Sequence, residues 1–416
     1  MRILYVSQYF PPEVNAPAQR VMDFAKAWTE AGHEVIVVTG FPNHPAGVVY
    51  DGYKLRMRQR EVIDGIEVLR TYLYPAANKG VVRRCINYFS FMASAAIFGC
   101  RAARNVDVVI ASCPQLLVGL AGYAISAARK VPFVLEVRDV WPEALAAVDP
   151  DVNLVLYRLL DRIAKFLYKR AARIITVTEG ARDIIRNHGV SEDKLVLIPS
   201  GIRTDLIKPM EPPAGITERF GDQNSVLVSY VGTHGMAQGL STVLEAAHKL
   251  SGDTRIQFVL IGDGAEKKDL LRQKQDMRLG NVHFLDQMPQ SEVLNYVAAS
   301  DICLVPLRKA DLFKQTIPSK VYELMACARP IVLGVDGEAR ELVETAESGV
   351  YVEPENSSAL ADAVVRLADN PQTRETYGAN GRRFILENYD KNLLAKTYLD
   401  MLAKLTGSPR CHMSEK

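Results

Sequence analysis

The sequence predicts an α/β protein made of two doubly wound halves. Strand-like apolar runs alternate with helical patterns along the whole chain. The runs are apolar throughout rather than at every second residue, as in parallel strands covered on both faces. At 416 residues the chain exceeds one ordinary core, so two domains are expected. In the first half the predicted strands are Ile3–Ser7, Glu34–Thr39, Ile66–Thr71, Val106–Ala111, Phe133–Val137, Ile174–Val177 and Val196–Ile198. Between the first two, the helix Gln19–Ala31 ends at Gly32, a natural helix-terminating residue. In the second half the strands are Val226–Val231, Gln257–Ile261, Val282–Leu285, Ile302–Pro306, Ile331–Leu333 and Gly349–Val352. The turn-rich stretch Ser200–Pro213 separates the halves, giving domains 1–205 and 206–384. The tail from Asn370 is helical (Arg374–Glu387, Lys391–Leu405) and adds no strand, so 385–406 is expected to return to the first domain. Residues 407–416 read as a disordered tail.

Hydrophobic residues make up 48% and charged residues 24%, a globular composition. Met1-Arg2 leads straight into a strand, unlike a signal peptide. The uncharged run Val108–Ala128 reads as strand, Pro114 and then helix, which excludes it as a membrane span; Cys85–Cys100 is too short. The cysteines are scattered without a Cys-x-x-Cys pair, against a zinc site and for a reducing cytoplasm. The first 205 residues hold 26 Lys and Arg against 20 Asp and Glu, the rest 24 against 28. A basic first half suits an anionic partner such as a membrane surface. Two stretches carry it. One runs from Lys79 through Arg83, Arg84, Tyr88, Phe89 and Ile97 to Arg104. The other interleaves Arg158, Arg162, Lys165, Lys169, Arg170 and Arg173 with Leu159 and Phe166. Both fit interfacial amphipathic helices, and both also fit surface helices packing an apolar stripe on a sheet.

Ligands of parallel α/β sheets sit at the loops after the strands. The loops that stand out are Gln8–Ala18, Glu136–Glu143, Tyr230–Gly239 and Ile261–Gly264. His234 and Gly262 lie on the last two, although Gly262-Asp263-Gly264 is also a common strand-to-helix turn. Asp149-Pro150-Asp151 has the spacing of a metal motif but lies in a turn away from a strand end, and reads as coincidence. The segment Pro318–Ala326 puts Lys320 and Glu323 at the start of a helix. A helix start attracts anions, Lys320 adds full charge, and Glu323 can accept hydrogen bonds from sugar hydroxyls. Phosphate plus ribose means a nucleotide. The same residues would also serve an ordinary helix start capped by Ser319.

As an ordered set these segments resemble family-four retaining glycosyltransferases of the GT-B fold. They are most like the WbuB-like amino-sugar transferases of O-antigen, capsule or colanic-acid assembly. The matching stretches are Ser7–Glu13, Gly40–Pro45, Glu136–Glu143, Tyr230–Gly235, Pro318–Ala326 and Gly334–Glu338. The resemblance implies two Rossmann-like domains facing across a cleft. It also implies a nucleotide-sugar donor, UDP-linked by family likeness, and a lipid-diphosphate-linked saccharide acceptor at the inner face of the cytoplasmic membrane. By position, Pro318, Ser319 and Lys320 match the diphosphate ligands at the helix start, and Glu323 the ribose carboxylate. Gly232, Thr233, His234 and Gly262 match the phosphate loops, Leu285 to Met288 the base site, and Asn15, Ala16 and Pro17 the loop over the donor. Arg138 and Asp139 stand near the transferred sugar and acceptor, so the implied catalytic set is Arg138, Asp139, Lys320 and Glu323. The chain departs from the family in having Gln315 where a second acid stands, and Thr233 and Gln238 where the phosphate loop has cations. Lys320 is left as the nearest cation. No metal or other cofactor is expected, and no nucleic acid. A sugar-nucleotide epimerase and a non-catalytic nucleotide-sugar-binding protein remain alternatives. A Rossmann oxidoreductase is disfavoured by the missing G-x-G-x-x-G.

Overall fold

The structure, a computed structural model, describes residues 1–77, 81–148, 153–222 and 224–407. It forms two units, Met1–Ser200 with the segment from Lys391 onward, and Gly201–Asp390.

In the first unit the chain runs β1 (Arg2–Ser7), α1 (Ala16–Glu30), β2 (Glu34–Gly40), β3 (Arg58–Ile63), β4 (Ile66–Thr71), α2 (Val81–Ala102) and β5 (Val108–Cys113). It continues through α3 (Leu117–Arg129), β6 (Phe133–Val137), α4 (Glu143–Val148), α5 (Leu154–Arg170), β7 (Arg173–Thr176), α6 (Glu179–Asn187) and β8 (Leu195–Leu197). The sheet order is β3-β4-β2-β1-β5-β6-β7-β8, parallel except for the β3–β4 pair. One face packs against α2, α3, α5 and α6. The opposite face packs against α1 and the chain's last helix.

The second unit runs β9 (Val226–Val231), α7 (Leu240–Lys249), β10 (Ile256–Ile261), α8 (Lys267–Asp276), β11 (Val282–Leu285), α9 (Gln290–Ala299) and β12 (Ile302–Pro306). Then come α10 (Ser319–Ala326), β13 (Ile331–Gly334), α11 (Glu338–Thr345), β14 (Gly349–Tyr351), α12 (Ser357–Ala368) and α13 (Pro371–Asn388). Its sheet order, β11-β10-β9-β12-β13-β14, is parallel throughout, with the direction of winding reversing at β9 and β12. The order and the continuous burial of β10 and β12 follow from strands with helices on both faces.

The last helix, α14 (Lys391–Thr406), returns to the first unit. Trp28 of α1 is wholly buried there, stacked on Phe24, edge-on to Tyr398, and donating its indole N–H to the Ala395 carbonyl at 3.0 Å. Lys391 pairs with Asp23 at the start of the helix.

Several boundaries differ from the expectation. The units part at Ser200/Gly201 rather than at 205/206, because Ile202 bridges to Asp390, and Arg382 donates to the carbonyls of Thr204 and Ile207. These bonds hold 201–207 on the second unit. Likewise α13 runs unbroken through residue 385, so the return begins at Lys391. The strand expected at Val106 starts at Val108, and α1 starts at Ala16, three residues before Gln19. The edge strand β3 is an addition. The expected disordered tail beyond Gly407, Lys79 of the first basic stretch and the Asp149-Pro150-Asp151 turn lie outside the described residues.

Candidate functional site

The second unit gathers its polar loops at the carboxyl ends of β9, β10 and β11. The Gly232 N–H donates to the Ile261 carbonyl at 2.9 Å, and the Gly262 N–H to the Leu285 carbonyl at 3.1 Å. The loops after β9 and β10 therefore lie backbone on backbone. A side chain at Gly262 would begin 1.9 Å from the Gly232 carbonyl oxygen, and one at Gly264 would begin 2.4 Å from the His234 carbonyl oxygen. Gly262 also holds φ +146, a conformation that L side chains rarely adopt. We expect Gly262→Ala to cost at least about 2 kcal/mol from strain and backbone overlap together, measured as a shift in urea midpoint. A melt unchanged from the parent would mean the loops are not packed this way.

His234 is completely buried at this junction. Its backbone N–H donates to the Asp263 carbonyl at 2.8 Å and its carbonyl accepts from Glu266 at 2.9 Å. Its ring lies between Tyr230 and Phe284, and neither ring nitrogen has a hydrogen-bond partner. Burial pushes the imidazole down to about 4, and the charges of Lys267 and Lys320 push the same way, against Asp263. His234 is thus neutral at pH 7. Lys267, unmarked in the sequence reading, ties the loops from below. Its ammonium donates to the Gly262 carbonyl at 2.8 Å, the Leu285 carbonyl at 3.3 Å and Asp286 at 2.6 Å. Above them lies a cavity of about 230 Å³ lined in part by Gly232, Thr233, Gly262, Asp263, Gln287 and Met288.

Lys320 enters the same place from α10. Its Nζ sits 4.0 Å from the centre of the Tyr230 ring and 2.6 Å from where a side chain on Gly232 would begin. The absence of a side chain at Gly232 is what admits the ammonium. Burial lowers Lys320 to about 8, and the charge of Glu323, one turn further along α10, works against that. The helix start has Pro318 as N-cap and no side-chain cap bond, so Ser319 is not the cap; it is exposed in the first turn. Gln315 ends a short 3-10 turn (Asp311–Gln315), and its side chain lies outside the described residues. That turn packs against the loop after β13, where a side chain at Gly337 would begin 2.1 Å from the Lys314 carbonyl oxygen.

In the first unit, Asn15 caps α1 by accepting from the Ala18 N–H at 2.9 Å. Its side-chain oxygen thus serves the helix while its amide nitrogen has no hydrogen-bond partner among the described residues, and Ala16 and Pro17 form the exposed and half-buried first turn. Arg138, just after β6, donates to the Ala16 carbonyl at 3.1 Å, so the two predicted loops do meet. Asp139 beside it is exposed. Beneath them lies a network that sequence reasoning missed. The Glu136 carboxylate is wholly buried, accepts from Ser112 at 2.7 Å and Tyr5 at 3.1 Å, and pairs with Arg20 at 3.2 Å. Arg20 in turn donates to the carbonyls of Ile198 and Pro199. Glu13 accepts from the backbone N–H groups of Asn43 and His44, both at 2.9 Å, and ties the loop after β1 to that after β2. Among the described residues no three His, Cys, Asp or Glu side chains gather as a metal site would require. No helix among them is long and apolar enough to cross a membrane.

Residues 218–384 match the family described as glycosyl transferases group 1, and residues 15–201 match a glycosyl transferase 4-like domain. Among relatives, the chain is 23% identical over 88% of its length to a putative colanic acid biosynthesis glycosyl transferase, WcaI, of Escherichia coli, covering 91% of that protein. It is 24% identical over 60% of its length to an N,N'-diacetylbacillosaminyl-diphospho-undecaprenol alpha-1,3-N-acetylgalactosaminyltransferase of Campylobacter jejuni, covering 64% of that protein. Against two further relatives the chain spans 64% and 59% of their length. Among solved structures it resembles Anabaena HepE in complex with UDP, with a TM-score of 0.68 at 18% identity over 97% of this chain and all of that one.

Proposed function

We propose a sugar-transfer reaction for a chain that belongs to the GT-B glycosyltransferases, its second unit to group 1 and its first to the 4-like domains. It moves a sugar, with retention of configuration, from a nucleoside diphosphate to a lipid-linked saccharide of a bacterial surface polysaccharide. The observation that carries this is the Lys320 ammonium seated against Gly232 at the mouth of the β9 and β10 loops. Breaking the sugar–phosphate bond leaves negative charge on the diphosphate oxygen. Lys320 and the N–H groups at the start of α10 meet that charge as it develops, without need of a metal. The acceptor's proton passes to the leaving phosphate. Glu323 takes the ribose hydroxyls, and the cavity beside Gln287 and Met288 takes the base. Arg138 and Asp139 serve the transferred sugar and the acceptor.

The relative acting on a diphospho-undecaprenol saccharide and the neighbour holding UDP support a lipid-linked acceptor and a UDP-linked donor. The transfer of an N-acetylated amino sugar rests on the first of these. Placement on the inner membrane face rests on surface chemistry. Helix α2 exposes Val82, Ile86, Phe89 and Ile97 along one side, with Arg83 and Arg101 exposed on the same helix. Such a stripe suits an anionic interface.

A mass-spectrometric screen of UDP- and GDP-sugars against a lipid-diphosphate monosaccharide tests the reading. The expected product is a lipid-linked disaccharide with the anomeric configuration of the donor. Free epimerised nucleotide-sugar without disaccharide would make the protein an epimerase. Donor binding without any turnover would make it a binding protein.

A further inference from the structure

A second cavity, of about 340 Å³, lies in the first unit, between the carboxyl half of α5 and the turn joining α6 to β8. Lys165, Lys169 and Lys194 line it, with Tyr168, His188 and Ser191, and no carboxylate does. The nearby acids stand behind the lining and are already engaged, Asp193 by the hydroxyl of the lining Ser191. Asp161 shares Lys165 at 2.9 Å and His188 at 3.8 Å, Glu143 holds the other nitrogen of His188 at 2.7 Å, and Glu192 holds Arg182 and Arg186. Lys194 reaches the Lys169 carbonyl at the end of α5, a placement that also suits the helix dipole. The Lys169 ammonium makes no ion pair among the described residues. A concave surface with three ammonium groups and no acid on its lining fits an anion with several acceptor oxygens.

The surroundings indicate which anion. The outer side of α5 carries Val155 at 74% exposure, Leu159 at 52% and Phe166 at 37%, interleaved with exposed Arg158, Arg162 and Arg170. Lys165 is next to Phe166 in sequence and Lys169 one turn beyond it, so the cavity opens beside the apolar stripe. A phosphate attached to hydrocarbon chains satisfies both surfaces at once. We propose that this cavity binds the phosphate headgroup of an anionic membrane phospholipid. The choice of a lipid rests on the membrane placement proposed above; the choice of a phosphate rests on the cavity alone.

The test uses the full chain, with flotation on phosphatidylcholine vesicles with and without phosphatidylglycerol, at constant ionic strength. Glycerol phosphate serves as a soluble competitor, and its direct binding is measured by calorimetry. Two variants of equal charge loss are compared, Lys165→Gln/Lys169→Gln/Lys194→Gln and Arg158→Gln/Arg162→Gln/Arg170→Gln. We expect the lysine variant to lose at least about tenfold in vesicle affinity and all sensitivity to glycerol phosphate. The arginine variant should weaken but remain competable. Equal losses in both, with no competition in the parent, would leave only diffuse surface charge; that overturns the cavity and spares the membrane reading. Absence of parent binding to vesicles, with glycerol phosphate bound by the parent and not by the lysine variant, would make this a soluble-phosphate site and sink the lipid. Absence of both overturns cavity and membrane reading together. Lys169→Gln alone, which breaks no ion pair, replaces the triple variant should that fail to fold.

Discussion

Lys320→Met is expected to make the protein more stable and almost inactive. The ammonium is half-buried against Tyr230 and Gly232, and burial brings it from its usual 10.5 down to about 8. Between pH 8 and 10.5 the unfolded chain therefore holds a proton that the folded one has released, so stability rises with pH across that window. Below pH 8 the whole penalty applies. A neutral side chain of similar length removes it, for a gain of up to about 3 kcal/mol at pH 7. The same change deletes the cation that meets the leaving diphosphate, which should lower turnover about a hundred- to a thousandfold. In the parent, kcat/KM for the donor should fall as pH rises through about 8, where the free enzyme loses this charge. Thermal melts and a pH series of initial rates check both halves. A less stable variant would mean that the Tyr230 ring holds the ammonium at a net gain, and unaltered turnover would mean that Lys320 does not meet the leaving diphosphate.

Glu136→Gln is expected to destabilise the first unit by about 3 to 5 kcal/mol, because it leaves the buried Arg20 guanidinium without its counter-ion. Tyr5 and Ser112 can still donate to the amide oxygen, so the loss is chiefly electrostatic. The double replacement Arg20→Met/Glu136→Leu removes both charges and should recover a large part of that stability. Urea midpoints of Arg20→Met, Glu136→Leu and the double variant, beside that of Glu136→Gln, decide it. Simple addition of the single losses would show that the pair is not coupled.

Most of the parallel sheet framework was legible because strands covered on both faces are almost wholly apolar, as in Val226–Val231 and Ile256–Ile261, where Ser229 and Gln257 are the single polar residues. The edge strand β3 escaped because it alternates, Arg58 and Arg60 facing water. Its signal was nonetheless there. Asp64-Gly65 joins β3 to β4 with φ of 49° and 80°, the hairpin dipeptide between two apolar residues. The domain boundary was misplaced because proline marks the loose stretch at 209–213, whereas attachment is decided earlier by the Ile202–Asp390 bridge. In the site, Gly232 and Lys320 were each visible from their own strand-end or helix-start position, and the structure shows why they belong together. Lys267 and Glu136 were not singled out, because what distinguishes them is which carbonyls and hydroxyls of other strands surround them. No spacing along the chain encodes that.

The last helix has a consequence for how the chain is made. Residues 201–390 form the second unit without interruption, so its core can close as soon as they have left the ribosome. The first unit emerges earlier, but Phe24 and Trp28 lack their cover until Ala395 and Tyr398 arrive. Domains usually mature in the order of synthesis. Here birth and completion run in opposite orders, and the nascent first unit waits with an open apolar face while its successor finishes.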